Sequence, residues 1–85
     1  MDERQTSDRL SIDFIENEVN LSNTFLDLAE AEQDEPDRVA QVRAKAQQGF
    51  DVATTWIGKI HNASERDRLA SKLDRLKRRL DGAHP

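Results

Sequence analysis

Two breaks divide this chain into three runs of helically spaced apolar residues, and that division constrains the fold more than any other feature. The first break is Asp34-Glu35-Pro36-Asp37, and the second is His61-Asn62-Ala63-Ser64. Proline suits a helix's first turn, where its missing N–H would have no intrahelical partner, so Pro36 reads as the opening of a new helix. Three helices joined by loops this short must alternate in direction. The expected architecture is an all-α, antiparallel up-down-up three-helix bundle forming a single domain over residues 1–85. Helices are expected at about 8–33, 36–60 and 64–81, with frayed tails at 1–6 and 83–85.

Composition agrees. Three Gly and two Pro in 85 residues, with abundant Ala, Leu, Glu, Lys, Arg and Gln, favour helix, and no segment alternates as a strand would. Cysteine is absent, which removes disulfides, thiolate nucleophiles and cysteine-ligated metals. Met1-Asp2-Glu3-Arg4-Gln5 is charged and no apolar region follows it, so no secretory signal is expected. No apolar run approaches the ~18 residues of a membrane span. A cytoplasmic protein with no membrane partner is the expectation.

The formal charge of −4 hides an asymmetry. Twelve Asp/Glu up to Asp37 face only Arg4 and Arg9, whereas from Arg38 onward eleven Lys/Arg face five acids. The acidic first helix is expected to lie against basic side chains of the third, Lys72, Arg75, Lys77, Arg78 and Arg79 among them, in complementarity within one bundle.

Helix 1 has Thr6-Ser7-Asp8 as its expected N-cap. At ~100° per residue its apolar side chains fall into two adjacent stripes. One is Leu10, Phe14, Leu21, Phe25 and Leu28; the other is Ile12, Ile15, Val19 and Leu26. Together they cover about 200°, more than the ~100° a surface helix needs to join a core. Apolar surface should therefore be left over, and the Ile12, Ile15, Val19, Leu26 stripe is the expected surplus. Helix 2 carries Val39, Val42, Ala46, Gly49/Phe50, Ala53, Trp56/Ile57 and Ile60. Its centre is small, and a mid-helix Gly49 that costs about 0.5–1 kcal/mol relative to Ala needs an offset; close approach of Phe25, Leu21 or Leu73 is the expected one. Trp56 lies at the edge of this stripe, in line with the core and within reach of a partner. Helix 3 shows a Ser64…Asp67 capping box, then Leu69, Leu73, Leu76 and Leu80 as a narrow seam, with Gly82 as its stop.

Chemistry-bearing patterns are few. Glu18 lies between the two apolar stripes, about level with Lys72, and reads as an edge salt bridge before a buried acid. The acids Glu30, Glu32, Asp34, Glu35 and Asp37 lack the glycine of a calcium loop and match the positive end of a helix dipole. His61 and His84 have no third ligand at useful spacing, and Ser, His and Asp occur without a nucleophile elbow. No catalytic residue, metal, cofactor or small-molecule substrate is expected. Lys72-Leu73-Asp74-Arg75-Leu76-Lys77-Arg78-Arg79-Leu80 could follow a phosphate backbone, although Asp74 interrupts it and no aromatic side chain interleaves.

Phe25-Leu26-Asp27-Leu28-Ala29, followed by Arg43-Ala44-Lys45-Ala46-Gln47-Gln48-Gly49-Phe50-Asp51-Val52-Ala53, resembles helical hairpins of the tetratricopeptide type, with small residues where helices cross. The three-helix layout also resembles microtubule-interacting-and-trafficking domains, and the whole is similar to small bacterial three-helix proteins. The helices are longer than a 34-residue repeat allows, and the tyrosine-bearing pattern of the trafficking domains' last helix is missing. The resemblance implies helical packing with grooves that admit a partner helix, and carries no site residue across.

The expectation is thus a non-enzymatic protein–protein interaction module, a homodimer or a receiver of a partner helix, acting through Ile12, Ile15, Val19 and Leu26 with Trp56. The alternative is association with nucleic acid through Arg75, Lys77, Arg78 and Arg79.

Overall fold

A computed structural model describes residues 3–82, with side chains from residue 7 onward. Its elements are α1 (Glu3–Ala31), α2 (Pro36–Ile57) and α3 (Ala63–Gly82), and each helix touches the other two. Cross-helix contacts give the directions. Phe14 stacks on Trp56 while Ser22 bonds to Ala46, so α1 and α2 run antiparallel. Arg68 reaches Glu16 and Arg79 reaches Asn23, so α1 and α3 run parallel. This is the up-down-up bundle expected from the two breaks, 52 Å long and 16–18 Å across.

The helix ends differ from the sequence expectation. α1 is already helical at Glu3, so Thr6, Ser7 and Asp8 lie within it rather than cap it; residues 83–85 lie outside the described residues. It ends at Ala31 rather than Gln33. α2 ends at Ile57, and the chain then tightens, with the Lys59 N–H donating to the Trp56 carbonyl and the Ile60 N–H to that of Ile57. Ile60 is nevertheless buried. At α3 the capping acceptor is Asn62, whose Oδ1 receives the Glu65 N–H at 2.9 Å. Ser64 sits inside the first turn, because an Asn two residues earlier already satisfies the exposed amide. Gly82 is the last helical residue rather than a stop before it.

The core contains Ile15, Val19 and Leu26 from α1, Ala46 and Ala53 from α2, Ile60, and the whole leucine seam of α3, Leu69, Leu73, Leu76 and Leu80. Where α1 crosses α2 both helices are small. Ser22, Ala46, Gly49 and Ala53 are buried there, and the Ser22 hydroxyl donates to the Ala46 carbonyl at 3.0 Å. A Cβ added to Gly49 would lie 2.3 Å from Ser22 Oγ and 3.3 Å from a Glu18 carboxylate oxygen. The glycine is thus explained by close approach, as expected, but of Ser22 and Glu18 rather than of Phe25, Leu21 or Leu73.

Candidate functional site

α1's two apolar stripes separate cleanly. The small residues Ser11, Ser22 and Ala29 lie between them and are buried. One stripe is buried in the core shared with α2 and α3: Ile15 is 0%, Leu26 2% and Val19 5% exposed. Ile12 is half-buried and packs on the core. The expected surplus is therefore corrected. Ile15, Val19 and Leu26 are core residues, and Ile12 only borders it. What remains open is the other stripe, where Leu10 is 67%, Leu21 47% and Leu28 43% exposed.

α2 covers that open stripe only in part. Phe14 stacks on Trp56 with ring centroids 4.7 Å apart, and both rings stay half-buried. The Lys45 ammonium lies 5.8 Å from the Phe25 ring centre, and that of Lys59 lies 4.5 Å from Trp56. The outcome is a continuous outer face on the α1–α2 hairpin, away from α3. It carries Leu10, Phe14, Leu21, Phe25, Leu28 and Trp56, with Asn17 and Thr24 interspersed on α1. Trp56 packs against the core and is half-buried.

The choice between stripes had a signal in the charges. At 100° per residue Glu16, Asp27 and Glu30 flank the Ile12 side of α1, and the residues bordering the leucine side are mostly neutral. The basic third helix belongs where the acids are. Arg68 meets Glu16 at 2.7 Å and Lys72 meets it at 3.6 Å. Arg79 pairs with Asp27 and Glu30 and also donates to the Asn23 carbonyl and side chain. Hydrogen bonding from Arg68, with the charge of Lys72, holds the Glu16 carboxyl below its usual range. Glu18, expected level with Lys72, instead lies beside Gly49.

These pairings also engage part of the basic strip on α3. Arg79 turns to α1, and Arg78 pairs with Asp74 on its own helix. Arg75 and Lys77 are exposed but point to different sides, since successive residues step by ~100°. By that spacing Lys77 lies apart from Arg75, Arg78 and Arg79.

The other polar cluster joins α1 to the α2–α3 junction. Asp8 is 6% exposed. One of its oxygens accepts the His61 N–H and contacts His61 Nδ1, both at 2.9 Å, and the other accepts the Asn62 N–H at 2.8 Å. The bond from the His61 amide, helped by those from its ring and from Asn62, holds the Asp8 carboxyl below the ordinary 3.8. His61, a residue of the α2–α3 loop, is thus held by Asp8. A shallow open depression lined by Asp8, Arg9, Ile12, Asp13, Asn62 and Glu65 lies beside this cluster. Among the described residues no three His, Asp or Glu side chains are placed to hold a metal ion, and no helix is long and apolar enough to cross a membrane.

Asp8 makes a pH-dependent contribution of definite sign. Its folded pKa is lowered, so near pH 4 the unfolded chain binds more protons, and stability rises with pH there. The contribution is present above the unfolded pKa and is lost as pH falls through the lower folded value. Thermal melts at pH 7 should place Asp8→Asn several degrees below the parent, and the gap should narrow as the pH falls below about 4. A gap that stays the same as the pH is lowered until the parent unfolds would mean the carboxylate charge is immaterial to this junction.

The chain matches no protein-family model, and neither curated proteins nor solved structures yield a match.

Proposed function

We propose that this chain is a non-enzymatic interaction module that docks a helical protein on the outer face of its α1–α2 hairpin. The observation that carries the reading is the line of exposed leucines, Leu10, Leu21 and Leu28. Scattered exposed leucines are ordinary; these three share one side of one helix. Leu10 and Leu28 are 18 residues apart, about five full turns, and half-buried rings lie alongside them. Apolar surface left in water forgoes roughly 25 cal/mol per Å², and a contiguous patch of it marks an interaction site more often than chance. Helix-in-groove docking uses this kind of surface, with anchors at helical spacing.

Site-specific photo-crosslinking in the native cell tests the reading. A benzophenone side chain at position 21 should give covalent protein adducts that disappear when Leu28→Glu is added. The same group at exposed position 78 should give none that depend on residue 28. Equal adducts at both positions, or adducts at 21 that survive Leu28→Glu, would reject the face.

A further inference from the structure

We infer that the helix docked on this face is acidic, bringing one carboxylate to Lys59 and another, about eleven residues along, to Lys45. The inference rests on the docking-face reading above and adds the chemistry of the partner.

Both ammoniums lie inside the face. That of Lys59 is over Trp56, the ring on which Phe14 stacks, and that of Lys45 is over Phe25. Neither has a carboxylate at ion-pair distance among the described residues. The nearby acids are placed elsewhere. Glu32 pairs with Arg38, Glu18 is half-buried beside Gly49, and Asp13 lines the depression shared with Arg9, Asn62 and Glu65.

In the free protein water hydrates the two ammoniums, since both lysines are exposed. An occupant that closes over Leu21, Phe25 and Trp56 strips that water away. Burying an unpaired ammonium costs far more than the ring beneath it returns. A wholly apolar partner is therefore disfavoured, and one with an acid above each ring is favoured. The spacing follows from α1: Phe14 and Phe25 are eleven residues apart, about 16 Å along the helix. On a partner helix laid along the hairpin, residues i and i+11 are separated by the same rise and stand within about 20° of each other. Its apolar residues at i+4 and i+7 then meet Leu21, which lies between the two rings on α1.

The placement also favours a helix over a lipid surface. Lysines of interfacial helices keep their ammoniums at headgroup level, around the rim of the apolar face. These two stand within the face, where a partner carrying its own point charges reaches them.

Charge exchange in the native cell tests this on the full chain, with the benzophenone at position 21. Adducts should persist in Lys45→Arg/Lys59→Arg and fall about tenfold or more in Lys45→Glu/Lys59→Glu. Both variants should melt close to the parent, because the two lysines are exposed. Mass spectrometry of the adduct locates the partner's segment, and replacing its two acids with lysine should restore adducts to the Glu variant. Adducts that need Leu28 but ignore the Glu reversal, or a segment without acids at this spacing, overturn the acidic helix and leave the docking face standing. Adducts to lipid in place of protein, with binding to phosphatidylglycerol vesicles, overturn it in favour of a membrane surface. Adducts that no longer depend on Leu28 remove the face and the inference together.

Discussion

Replacing Ile15 with aspartate should abolish the cooperative melt of this protein, while Leu21→Glu should leave it nearly unchanged. Both substitutions put an acid into an apolar stripe of the same helix, six residues apart, so the contrast reports which stripe faces inward. Ile15 is completely buried, among the largest such side chains in the chain. Truncation to alanine there should cost about 2–5 kcal/mol through lost burial and the cavity left behind. Aspartate adds the burial of a carboxylate with no cation opposite it, on top of the lost packing. A domain of this size has a thin core and total stability toward the lower end of about 5–15 kcal/mol. The combined loss is enough to unfold it. Leu21 already keeps nearly half its surface in water, and an exposed substitution of this kind changes stability by about 0.5 kcal/mol. Thermal denaturation followed by circular dichroism, with dispersion of amide resonances as a second readout, checks both. A folded Ile15→Asp protein would return the isoleucine stripe to the surface and withdraw the docking face built on Leu10, Leu21 and Leu28.

The contrast also marks where the sequence is readable and where it is not. The helices and their alternation follow from local signals: Pro36 at a first turn, a loop at residues 58–62, and four leucines at 69, 73, 76 and 80 that allow one inward face. α1 is different, because its two stripes are nearly equal in length and hydrophobicity. Periodicity says that both are apolar; only the position of α3 says which is covered, and that is a tertiary fact. The charges encode it, since Glu16, Asp27 and Glu30 border the stripe that Arg68, Lys72 and Arg79 close over. Asp8 was misread for a related reason. An acid near a helix start is a good capping residue, and nothing local shows that its acceptors instead serve amides 53 and 54 positions away. Ser64 lost its cap to Asn62 by a shift of two residues, within the usual uncertainty of helix ends.

Gly49→Leu should force α1 and α2 apart and destabilise the bundle by roughly 3 kcal/mol or more, beyond the usual 1–3 of overpacking. The alanine variant shows why. On an exposed helix Gly→Ala is worth about 0.5–1 kcal/mol of added stability. At position 49 the new methyl would sit 2.3 Å from Ser22 Oγ, far inside contact distance. The serine must rotate, and in doing so gives up its bond to the Ala46 carbonyl, worth about 1 kcal/mol net and more if either group is left buried and unpaired. Strain at the crossing adds to this, so Gly49→Ala should be destabilising by about 1–2 kcal/mol despite its better helix propensity. Ser22→Ala alone should cost about 1 kcal/mol for the lost bond. The double variant should be more stable than Gly49→Ala, because the hydroxyl that collides with the new methyl is gone and the next neighbour, the Glu18 carboxylate at 3.3 Å, can swing aside. The two sites should therefore couple favourably by about 1 kcal/mol or more, in the range for residues in direct contact. Urea unfolding of the four proteins measures that coupling. Strict additivity would show that the helices already part enough to admit a methyl, and the small residues at this crossing would then need a reason other than close approach.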